Sequence, residues 1–364
     1  MGTRLNKLAE TIARIRPLDA AAMAAARERQ NNLTKPLGSL GRLEELAIRV
    51  AGIQGNPRPK LERKAVIVMA GDHGVCAEGV SAYPAEVTPQ MVYNFLRGGA
   101  AINALAGLAG ARVVVVDVGV AAELRPHPGL RQRKVAPGTA NLAVGPAMTR
   151  AQAVQAIEVG IETVEAEIAA GLDVVGTGDM GIGNTTPSTA IAAAITGEPA
   201  ALVTGRGTGL DDEQLRRKIA TVERALAVNR PDPTDGLDVL AKVGGYEIAG
   251  LTGVILGAAA NGVVVVVDGF ISGAAALVAG LLCPAAKERM IASHLSVEIG
   301  HQAVMRWLGV VPLLDLNMRL GEGTGAALGI VLLQAAVKAM NEMATFAEAG
   351  VAEAKDVAKA IAAD

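Results

Sequence analysis

The chain has 364 residues, enough for one large hydrophobic core with or without a small accessory domain. Its net charge of −2 gives no overall positive field, so the charge does not favour nucleic-acid binding. Hydrophobic residues make up 51% and aromatic residues only 2%, and the 43 glycines indicate close packing of helices on a sheet with many tight turns. Two isolated cysteines are typical of a reducing compartment, and the N-terminus lacks an apolar signal core, so we expect a cytoplasmic protein.

The first part of the chain predicts helices separated by short breaks. Residues 3–32 predict two helices with a break at Pro17, and Asp19 is suited to cap the second. Ser39 is expected to cap a third helix that runs to residue 54, before a proline-rich linker at 56–59. Further helices are predicted from the Thr88-Pro89 pair, over 150–170 after Thr149, over 213–228 after Asp211 and Asp212, over 326–343 and along the tail 348–364.

Six apolar runs lie between these helices, and glycine or polar residues follow them. The runs are residues 65–70, 113–116, 172–175, 201–203, 263–267 and 310–316. Continuous valine-rich runs separated by helices predict a parallel sheet that is covered on both faces. In such sheets ligands bind beyond the carboxyl ends of the strands, so we expect the polar residues there to form a site.

The apolar stretch 248–267 is about long enough to span a bilayer. Four glycines and Asn261 interrupt it, it stops at Asp268, and it lacks flanking aromatic and basic residues. We therefore expect a glycine-rich helix followed by a buried valine strand rather than a membrane span.

The stretch RLGEGTG at residues 319–325 places one carboxylate between glycines, just before a predicted helix. Glycines let the backbone come close to a ligand, and a helix start offers free N–H groups to an anion. We interpret Glu322 as a catalytic base on which the ends of the strands converge.

Two further glycine-rich loops and one acid are candidates for ligand binding. GDMGIGNTTP at 178–187 opens a helix but is neither G-x-G-x-x-G nor a P-loop, so a phosphate site and a structural turn are about equally favoured. TGRGTG at 204–209 is a second candidate loop, in which Arg206 and the nearby Lys218 are possible charge partners for an anion. Taken alone, this loop favours a solvated arginine over a binding site. Asp268 fits two roles about equally. It is either a helix-cap or turn residue, or a ligand for ribose hydroxyls or a developing cation.

The four histidines, His73, His127, His294 and His301, do not form a recognisable metal motif. His294 and His301 are seven residues apart, whereas a zinc-binding HExxH helix needs ligands four apart. We expect each histidine to be packed or hydrogen-bonded rather than bound to a metal. Serines lie beside His294, but no G-x-S-x-G turn is present, so a hydrolase triad is not predicted.

Taken together, seven motifs closely resemble the nicotinate-nucleotide–dimethylbenzimidazole phosphoribosyltransferase family of the cobalamin lower-ligand pathway. They are GDHGV (71–75), SAYPAEVTPQMVYNFLRGGAAIN (81–103), GDMGIGNTT (178–186), TGRGTGLDD (204–212), VVDGFISGAAAL (266–277), SHLSVEIGH (293–301) and RLGEGTGAAL (319–328). The resemblance runs collinearly from about residue 35 to residue 351. The joint match is highly specific, although each glycine loop alone would be weak evidence for the family.

The resemblance implies transfer of the 5-phosphoribosyl group from nicotinate mononucleotide to 5,6-dimethylbenzimidazole. The products would be nicotinate and α-ribazole 5′-phosphate, with inversion at the anomeric carbon. It also implies a Rossmann-like α/β domain at residues 57–343, with helices on both faces of a parallel sheet of about six strands. Residues 1–56 and 344–364 would form a small helical domain. Family members are homodimers and need no metal or other cofactor.

The resemblance also implies site residues. Glu322 matches the family's catalytic base. Positions that match the nucleotide and phosphate site are Asp179, Gly181, Gly183, Asn184, Gly207, Lys218, Asp268 and Ser296, and the segment that holds the benzimidazole contains Ser81, Tyr83 and Gln90. Asp179 stands where glutamate is expected in many members, so its shorter side chain could reach a different atom or act through a water.

The proposed chemistry fits these residues. As the benzimidazole lone pair attacks the anomeric carbon, positive charge grows on the ring, and Glu322 can relieve it by taking the ring N–H proton. An apolar wall would raise the pKa of this carboxyl above about 4.3 and make it a better base. Asp179 or Asp268 could stabilise the oxocarbenium-like sugar.

Two other functional classes remain open from the residues alone. A nicotinamide-dependent oxidoreductase shares the parallel sheet and the glycine loops, but it would have G-x-G-x-x-G after the first strand, where this chain has GDHGV. A non-catalytic nucleotide-binding protein is the second class. Such a storage site does not require a lone carboxylate between glycines in a pocket-forming turn.

Overall fold

The computed structural model describes residues 7–352. These residues form two compact units: the first comprises the residues up to Pro17 and Glu62–Ile330, and the second comprises Leu18–Leu61 and the residues from Val331 onward. The helix predicted from residue 3 and the helical tail predicted to residue 364 therefore lie partly outside the described residues.

Helices alternate with strands along the chain. The strands are β1 (Lys64–Gly71), β2 (Ala111–Gly119), β3 (Leu130–Gln132), β4 (Val174–Met180), β5 (Val264–Val267) and β6 (Met290–Ala292). The helices are α1 (Lys7–Arg14), α2 (Ala20–Asn32), α3 (Arg42–Gln54), α4 (Val87–Leu96), α5 (Ala101–Ala109), α6 (Arg150–Ala169), α7 (Thr185–Thr196), α8 (Ala200–Val203), α9 (Asp212–Asn229), α10 (Gly236–Val243), α11 (Tyr246–Ala260), α12 (Phe270–Leu282), α13 (Gly300–Leu308), α14 (Thr324–Glu342) and α15 (Phe346–Ala349).

The six strands form one parallel sheet in the order β3-β2-β1-β4-β5-β6. The chain builds outward from β1 to β3 on one side and then crosses to β4 and continues outward on the other. At such a reversal of strand order the connections diverge, which leaves a crevice at the carboxyl ends of the central strands. The predicted α/β fold class is confirmed.

Four of the six strand predictions are correct and two are wrong. Residues 201–203 lie in the short helix α8, and residues 310–316 run beside β6 with only an isolated bridge between Leu314 and His294. The apolar pattern does not predict β3 or β6, because each has only three residues and β3 contains an arginine and a glutamine. Segments this short carry too little periodicity to distinguish a strand from a loop.

The apolar stretch 248–267 divides into the buried helix α11 and the buried strand β5, as predicted. Its glycines allow a close helix crossing, because a Cβ on Gly253 of α11 would lie 1.9 Å from the carbonyl oxygen of Ile157 on α6. Within the described residues, one helix, α14, is long and apolar enough to cross a membrane by length and composition. However, 56% of its apolar window is buried inside the protein, which a core helix also shows.

Side-chain caps fix several helix starts. Asp19, Thr149 and Asp211 accept backbone hydrogen bonds at the starts of α2, α6 and α9, as predicted. The prediction that Ser39 caps the third helix is wrong, because two successive turns carry the chain past it and α3 begins after Gly41.

The smaller unit joins the two ends of the chain. In it α2 packs against α3, and Leu33 forms an antiparallel bridge with Thr345. The expected boundaries follow residues 56 and 343, whereas the observed division assigns residues 7–17 to the larger unit and residues 57–61 and 331–343 to the smaller one. Leu8 and Ile15 are buried in the same core as α6 and α11 of the larger unit. A small helical domain made from both chain ends remains our proposal.

Candidate active site

A cavity of about 500 Å³ opens at the carboxyl ends of the central strands. Its wall comes from the segments around the starts of α4, α7 and α12, the loop before α9, and the chain between β6 and α14. The wall includes nine of the predicted site residues, Ser81, Tyr83, Asp179, Gly181, Gly183, Asn184, Gly207, Ser296 and Glu322. Three others do not line it: Lys218 and Asp268 are buried, and Gln90 is exposed on α4.

Glu322 lies in a left-handed turn immediately before α14. Its φ is 63°, and the flanking residues Gly321 (81°) and Gly323 (93°) also have positive φ. A non-glycine residue in this region costs on the order of 1 kcal/mol or more, and such strain is concentrated at functional sites. The turn is pressed against the sheet, because a Cβ on Gly323 would lie 2.4 Å from Cγ1 of Val66 in β1. Packing therefore holds the Glu322 carboxylate at the cavity wall.

The surroundings of the Glu322 carboxylate suit a base. Its Oε2 accepts a hydrogen bond of 3.2 Å from the backbone N–H of Ile102, in the first turn of α5. Burial raises the pKa of the carboxyl above the ordinary glutamate value, although the Ile102 N–H opposes the change. A carboxylate with a raised pKa accepts a proton more readily than an exposed one.

Asp268 supports this turn from behind the wall. It follows β5, and its carboxylate accepts hydrogen bonds from the N–H groups of Gly323 (3.2 Å) and Ala326 (2.9 Å). Of the two roles that the sequence left open, this geometry is that of a cap at the start of α14. Burial raises the pKa of Asp268 to about 7, and the N–H groups of Ala326 and Gly323 oppose the rise.

The start of α7 faces the cavity through the loop that follows β4. Gly181, Gly183, Asn184 and Thr185 all line the wall. The first turn of a helix has N–H groups without intrahelical partners and a positive dipole end, so it attracts anions. The Asn184 side chain does not cap α7, because its Nδ2 donates to Asp179 Oδ2 over 2.9 Å. This geometry favours the anion-binding interpretation of the loop.

Lys218 of α9 lies directly behind that loop. Its Nζ donates to Thr185 Oγ1 over 2.8 Å and to the carbonyl oxygen of Gly205 over 3.2 Å. Burial lowers the pKa of Lys218 to about 8, and the carboxylate of Glu298 opposes this. The ammonium group therefore adds positive charge beneath the loop, although it does not form part of the cavity wall.

Two arginines near the cavity have different positions. Arg206 is half exposed, pairs with Asp212 and does not line the cavity, which agrees with the solvated arginine that the sequence favoured. Arg319 does line the cavity, and its Nη1 donates to the carbonyl oxygen of Gly207 over 3.1 Å. From the sequence alone Arg319 has no evident role, although it lies three residues before Glu322 in the RLGEGTG stretch.

Asp179 is buried in the cavity wall at the end of β4. Its Oδ2 accepts from Asn184, and its Oδ1 has no hydrogen-bond partner within the protein. Burial and the nearby carboxylate of Asp268 raise the pKa of Asp179 well above the ordinary value. This carboxyl therefore takes up a proton more readily than an exposed aspartate does.

An apolar strip lines the side of the cavity near Ser81 and Tyr83. Val87 and Met91, one helical turn apart on α4, contribute to it together with Val80. The sequence did not single out these residues, because an apolar face that meets a ligand has the same pattern as one that meets the core. The strip offers a surface for a planar aromatic ring.

The histidines are packed or hydrogen-bonded in different ways. His73 Nε2 lies 2.9 Å from Glu247 Oε1 with both side chains buried, and this carboxylate, with Asp72, raises the pKa of His73 in spite of burial. His301 Nδ1 accepts from the Ser296 N–H over 2.9 Å, and burial lowers its pKa to about 3. Among residues 7–352, no three His, Cys, Asp or Glu side chains are arranged to hold a metal ion.

Comparisons with known proteins give the family. A family model described as "Phosphoribosyltransferase" matches residues 15–351. A curated protein named nicotinate-nucleotide–dimethylbenzimidazole phosphoribosyltransferase from Roseiflexus sp. (strain RS-1) is 65% identical over 347 residues, which are 95% of this chain and 98% of that protein. One of the same name from Chloroflexus aggregans is 64% identical over 352 residues, 97% of this chain and 100% of that protein.

A solved structure agrees with these relatives. The crystal structure of an enzyme with this name from Thermus thermophilus superposes with a TM-score of 0.88 at 51% identity and covers 92% of this chain and 100% of its own. The chain therefore belongs to the nicotinate-nucleotide–dimethylbenzimidazole phosphoribosyltransferase family, and it is an enzyme of the phosphoribosyltransferase class.

Proposed function

We propose that this enzyme transfers the 5-phosphoribosyl group of nicotinate mononucleotide to 5,6-dimethylbenzimidazole, with inversion at the anomeric carbon. The products are nicotinate and α-ribazole 5′-phosphate, the precursor of the lower ligand of cobalamin. The names of the relatives supply the two substrates. The observation that carries the proposal is that the Glu322 carboxylate, on a strained turn, shares one cavity with the glycine-rich start of α7.

The phosphate end of the nucleotide lies at the start of α7 in this proposal. Gly181, Gly183 and Gly207 let the backbone approach the phosphate, and the helix dipole favours its negative charge. Lys218 and Arg319 add positive charge beside the Gly205–Gly207 segment, since each donates to one of its carbonyl groups. Ser296, on the opposite loop, lines the same cavity and binds the nucleotide.

The base end lies against the apolar strip of α4. Ser81 and Tyr83 line this side of the cavity, so they are the proposed contacts of dimethylbenzimidazole. Gln90 is not part of the cavity wall, and we give it no direct contact with the base. Between Ser81 and Tyr83, the serine is the more buried, while the tyrosine side chain is mostly exposed at the rim.

Glu322 acts as the general base. The lone pair of one benzimidazole nitrogen forms the new bond to the anomeric carbon, and the bond from that carbon to the nicotinate nitrogen breaks with its electron pair. The N–H proton of the benzimidazole passes to Glu322, which leaves the product neutral at the ring. The burial that raises the pKa of Glu322 makes this transfer more favourable.

Asp179 contacts the ribosyl part of the nucleotide in this proposal. The positive pyridinium and the developing oxocarbenium charge favour its ionised form, so substrate binding works against the raised pKa of this carboxyl. Asp268 acts only through the turn that carries Glu322, because its oxygens are occupied by the N–H groups of Gly323 and Ala326.

Product analysis tests the proposal. The purified enzyme is incubated with nicotinate mononucleotide and dimethylbenzimidazole, and products are separated by chromatography with mass detection. We expect nicotinate and ribazole phosphate in equal amounts. Failure to form either product with dimethylbenzimidazole, other benzimidazoles, adenine or phenols would refute the transferase function. Hydride transfer that depends on added NAD would favour an oxidoreductase, and binding of the nucleotide without turnover would favour a storage protein.

We further propose that the enzyme is a cytoplasmic homodimer. The cysteines support a reducing compartment, since both Cys76 and Cys283 are free thiols in the structure. Size-exclusion chromatography with light scattering would measure the oligomeric state, and a monomer at micromolar concentration would refute the dimer.

A further inference from the structure

His294 lies in the cavity wall, yet no step of the proposed reaction uses it. The residue is 1% exposed, and its ring is held by two glycines. A Cβ on Gly325 would lie 1.9 Å from its Nδ1, and a Cβ on Gly269 would lie 3.4 Å from its Cε1. The ring therefore has little freedom to turn, and its neighbours decide which atom it can offer to a ligand.

The contacts of Ser293 decide which ring nitrogen carries the proton. Ser293 Oγ lies 3.0 Å from the carbonyl oxygen of Asp268 and 3.1 Å from Nδ1 of His294. A carbonyl oxygen can only accept, and a serine hydroxyl has one proton to donate. Both contacts are hydrogen bonds only if Ser293 donates to Asp268 and the Nδ1–H of His294 donates to Ser293.

The other ring nitrogen is then a hydrogen-bond acceptor. A neutral imidazole with its proton on Nδ1 has a lone pair on Nε2. Burial lowers the pKa of His294, which keeps the ring in this neutral form. Because Nδ1 is occupied by Ser293, Nε2 is the polar atom of His294 that remains for a ligand in the cavity.

An acceptor in the cavity needs a donor on the ligand, and this step rests on the proposed function. In nicotinate mononucleotide the ring nitrogen has no proton, and the carboxylate and phosphate oxygens are acceptors at neutral pH. Its donors are the 2′- and 3′-hydroxyls of the ribose. The one N–H group of dimethylbenzimidazole is assigned to Glu322.

We propose that His294 is a specificity-determining residue, whose Nε2 accepts a hydrogen bond from a ribose hydroxyl of the nucleotide. A site that pairs a hydroxyl rejects the analogue without it, because the polar atom of the protein is left unpaired in a buried place. The enzyme should therefore discriminate against one of the two deoxynucleotides, and the discrimination should depend on the acceptor at His294.

Steady-state kinetics tests this inference. The ratio of kcat/KM between nicotinate mononucleotide and its 2′-deoxy and 3′-deoxy analogues is measured for wild type, His294→Phe and His294→Gln. Wild type should lose roughly tenfold or more with one analogue. The loss should fall below about twofold in His294→Phe, which has no acceptor. It should persist in His294→Gln, whose amide oxygen can take the place of Nε2.

The control and the refuting results are defined by the same ratio. His127 is exposed and does not line the cavity, so His127→Phe should keep the wild-type ratio. Equal kcat/KM for all three nucleotides in wild type, or undiminished discrimination in His294→Phe, would overturn the inference. Absence of any transfer by wild type would instead refute the proposed function.

A second measurement on the wild-type enzyme does not depend on how the variants fold. In protein with ¹⁵N-labelled histidine, the Nε2 signal of His294 should be that of an unprotonated nitrogen. It should shift on addition of nicotinate mononucleotide and shift less with the 2′,3′-dideoxy analogue. A protonated Nε2 in the free enzyme would overturn the inference, as would a signal that responds only to dimethylbenzimidazole.

Discussion

The Asp268→Asn substitution should change the pH dependence of stability as well as the activity. Asp268 is buried, and its two oxygens accept from Gly323 and Ala326 at the turn that holds Glu322. Asparagine offers one acceptor oxygen and one amide group, which would face a backbone N–H. At about pH 5 the wild-type carboxyl is protonated, and its oxygens can still accept from the backbone N–H groups, whereas the asparagine NH2 group cannot. We therefore expect the variant to lose about 1–3 kcal/mol of unfolding free energy at this pH.

The pKa of Asp268 gives the sign and size of the pH effect. Burial raises it from 3.8 to about 7, so the folded state binds this proton more tightly than the unfolded state. The stability that the group contributes is then present below the unfolded pKa and is lost as pH rises through about 7. Between about pH 5 and pH 7 the loss is roughly 1.4 kcal/mol for each pH unit, or about 3 kcal/mol in all.

Asp268→Asn cannot ionise, so it should not show this loss. Urea unfolding at several pH values should find the variant less stable than wild type at about pH 5, with the difference closing or reversing by about pH 8. Asp235→Asn is a control, because Arg150 lowers the pKa of Asp235 and its contribution is lost only at more acidic pH. A stability difference for Asp268→Asn that stays constant over this range would contradict the assigned pKa and the reasoning from burial.

Three further predictions follow from the same geometry. The kcat/KM of wild type should fall as pH drops through the raised pKa of Glu322, because the base must be ionised. The Glu322→Gln variant should not show this fall at low pH. If the variant still shows the fall, the titrating group is a residue other than Glu322. The KM for the nucleotide should rise above about pH 8 as Lys218 loses its proton, and Lys218→Arg should remove the rise; a flat wild-type profile would argue against a charged Lys218 at the phosphate. Gly323→Ala would place a Cβ 2.4 Å from Cγ1 of Val66, so the variant should lose roughly 1–3 kcal/mol of stability and have a lower kcat. Gly107→Ala is the control and should show neither effect, because no atom lies within 4 Å of its added Cβ. An unchanged kcat in Gly323→Ala would contradict the claim that packing holds the turn of Glu322 in place.

Much of the sheet could be predicted because its central strands are long valine-rich runs, each followed by glycine or a polar residue. The edge strands β3 and β6 could not, since three residues do not establish a period. The segment 310–316 has the composition of a strand, but it lies beside β6 with a single bridge, and only tertiary packing decides between the two.

The site could be predicted where local chemistry is unusual. Glu322 stands out because a carboxylate between glycines has no simple structural reason, and the structure places it in a left-handed turn at the cavity. The depth of a side chain is not visible in the sequence, so Asp268 and Lys218 could not be placed behind the wall. Arg319 and His294 are not recognisable as parts of the site from the sequence, because a single arginine or histidine in a loop is ordinary until its neighbours are known.

The role of Glu322 is tested most directly by the kcat of Glu322→Gln in the transfer reaction at saturating substrates. Glu167→Gln is the matched control, since Glu167 is buried and paired with Arg112 and Arg131 but does not line the cavity. Loss of a general base should lower the kcat of Glu322→Gln by about 100-fold or more, while Glu167→Gln, where folded, should stay near wild type. A kcat of Glu322→Gln within about twofold of wild type would contradict the assignment of Glu322 as the base.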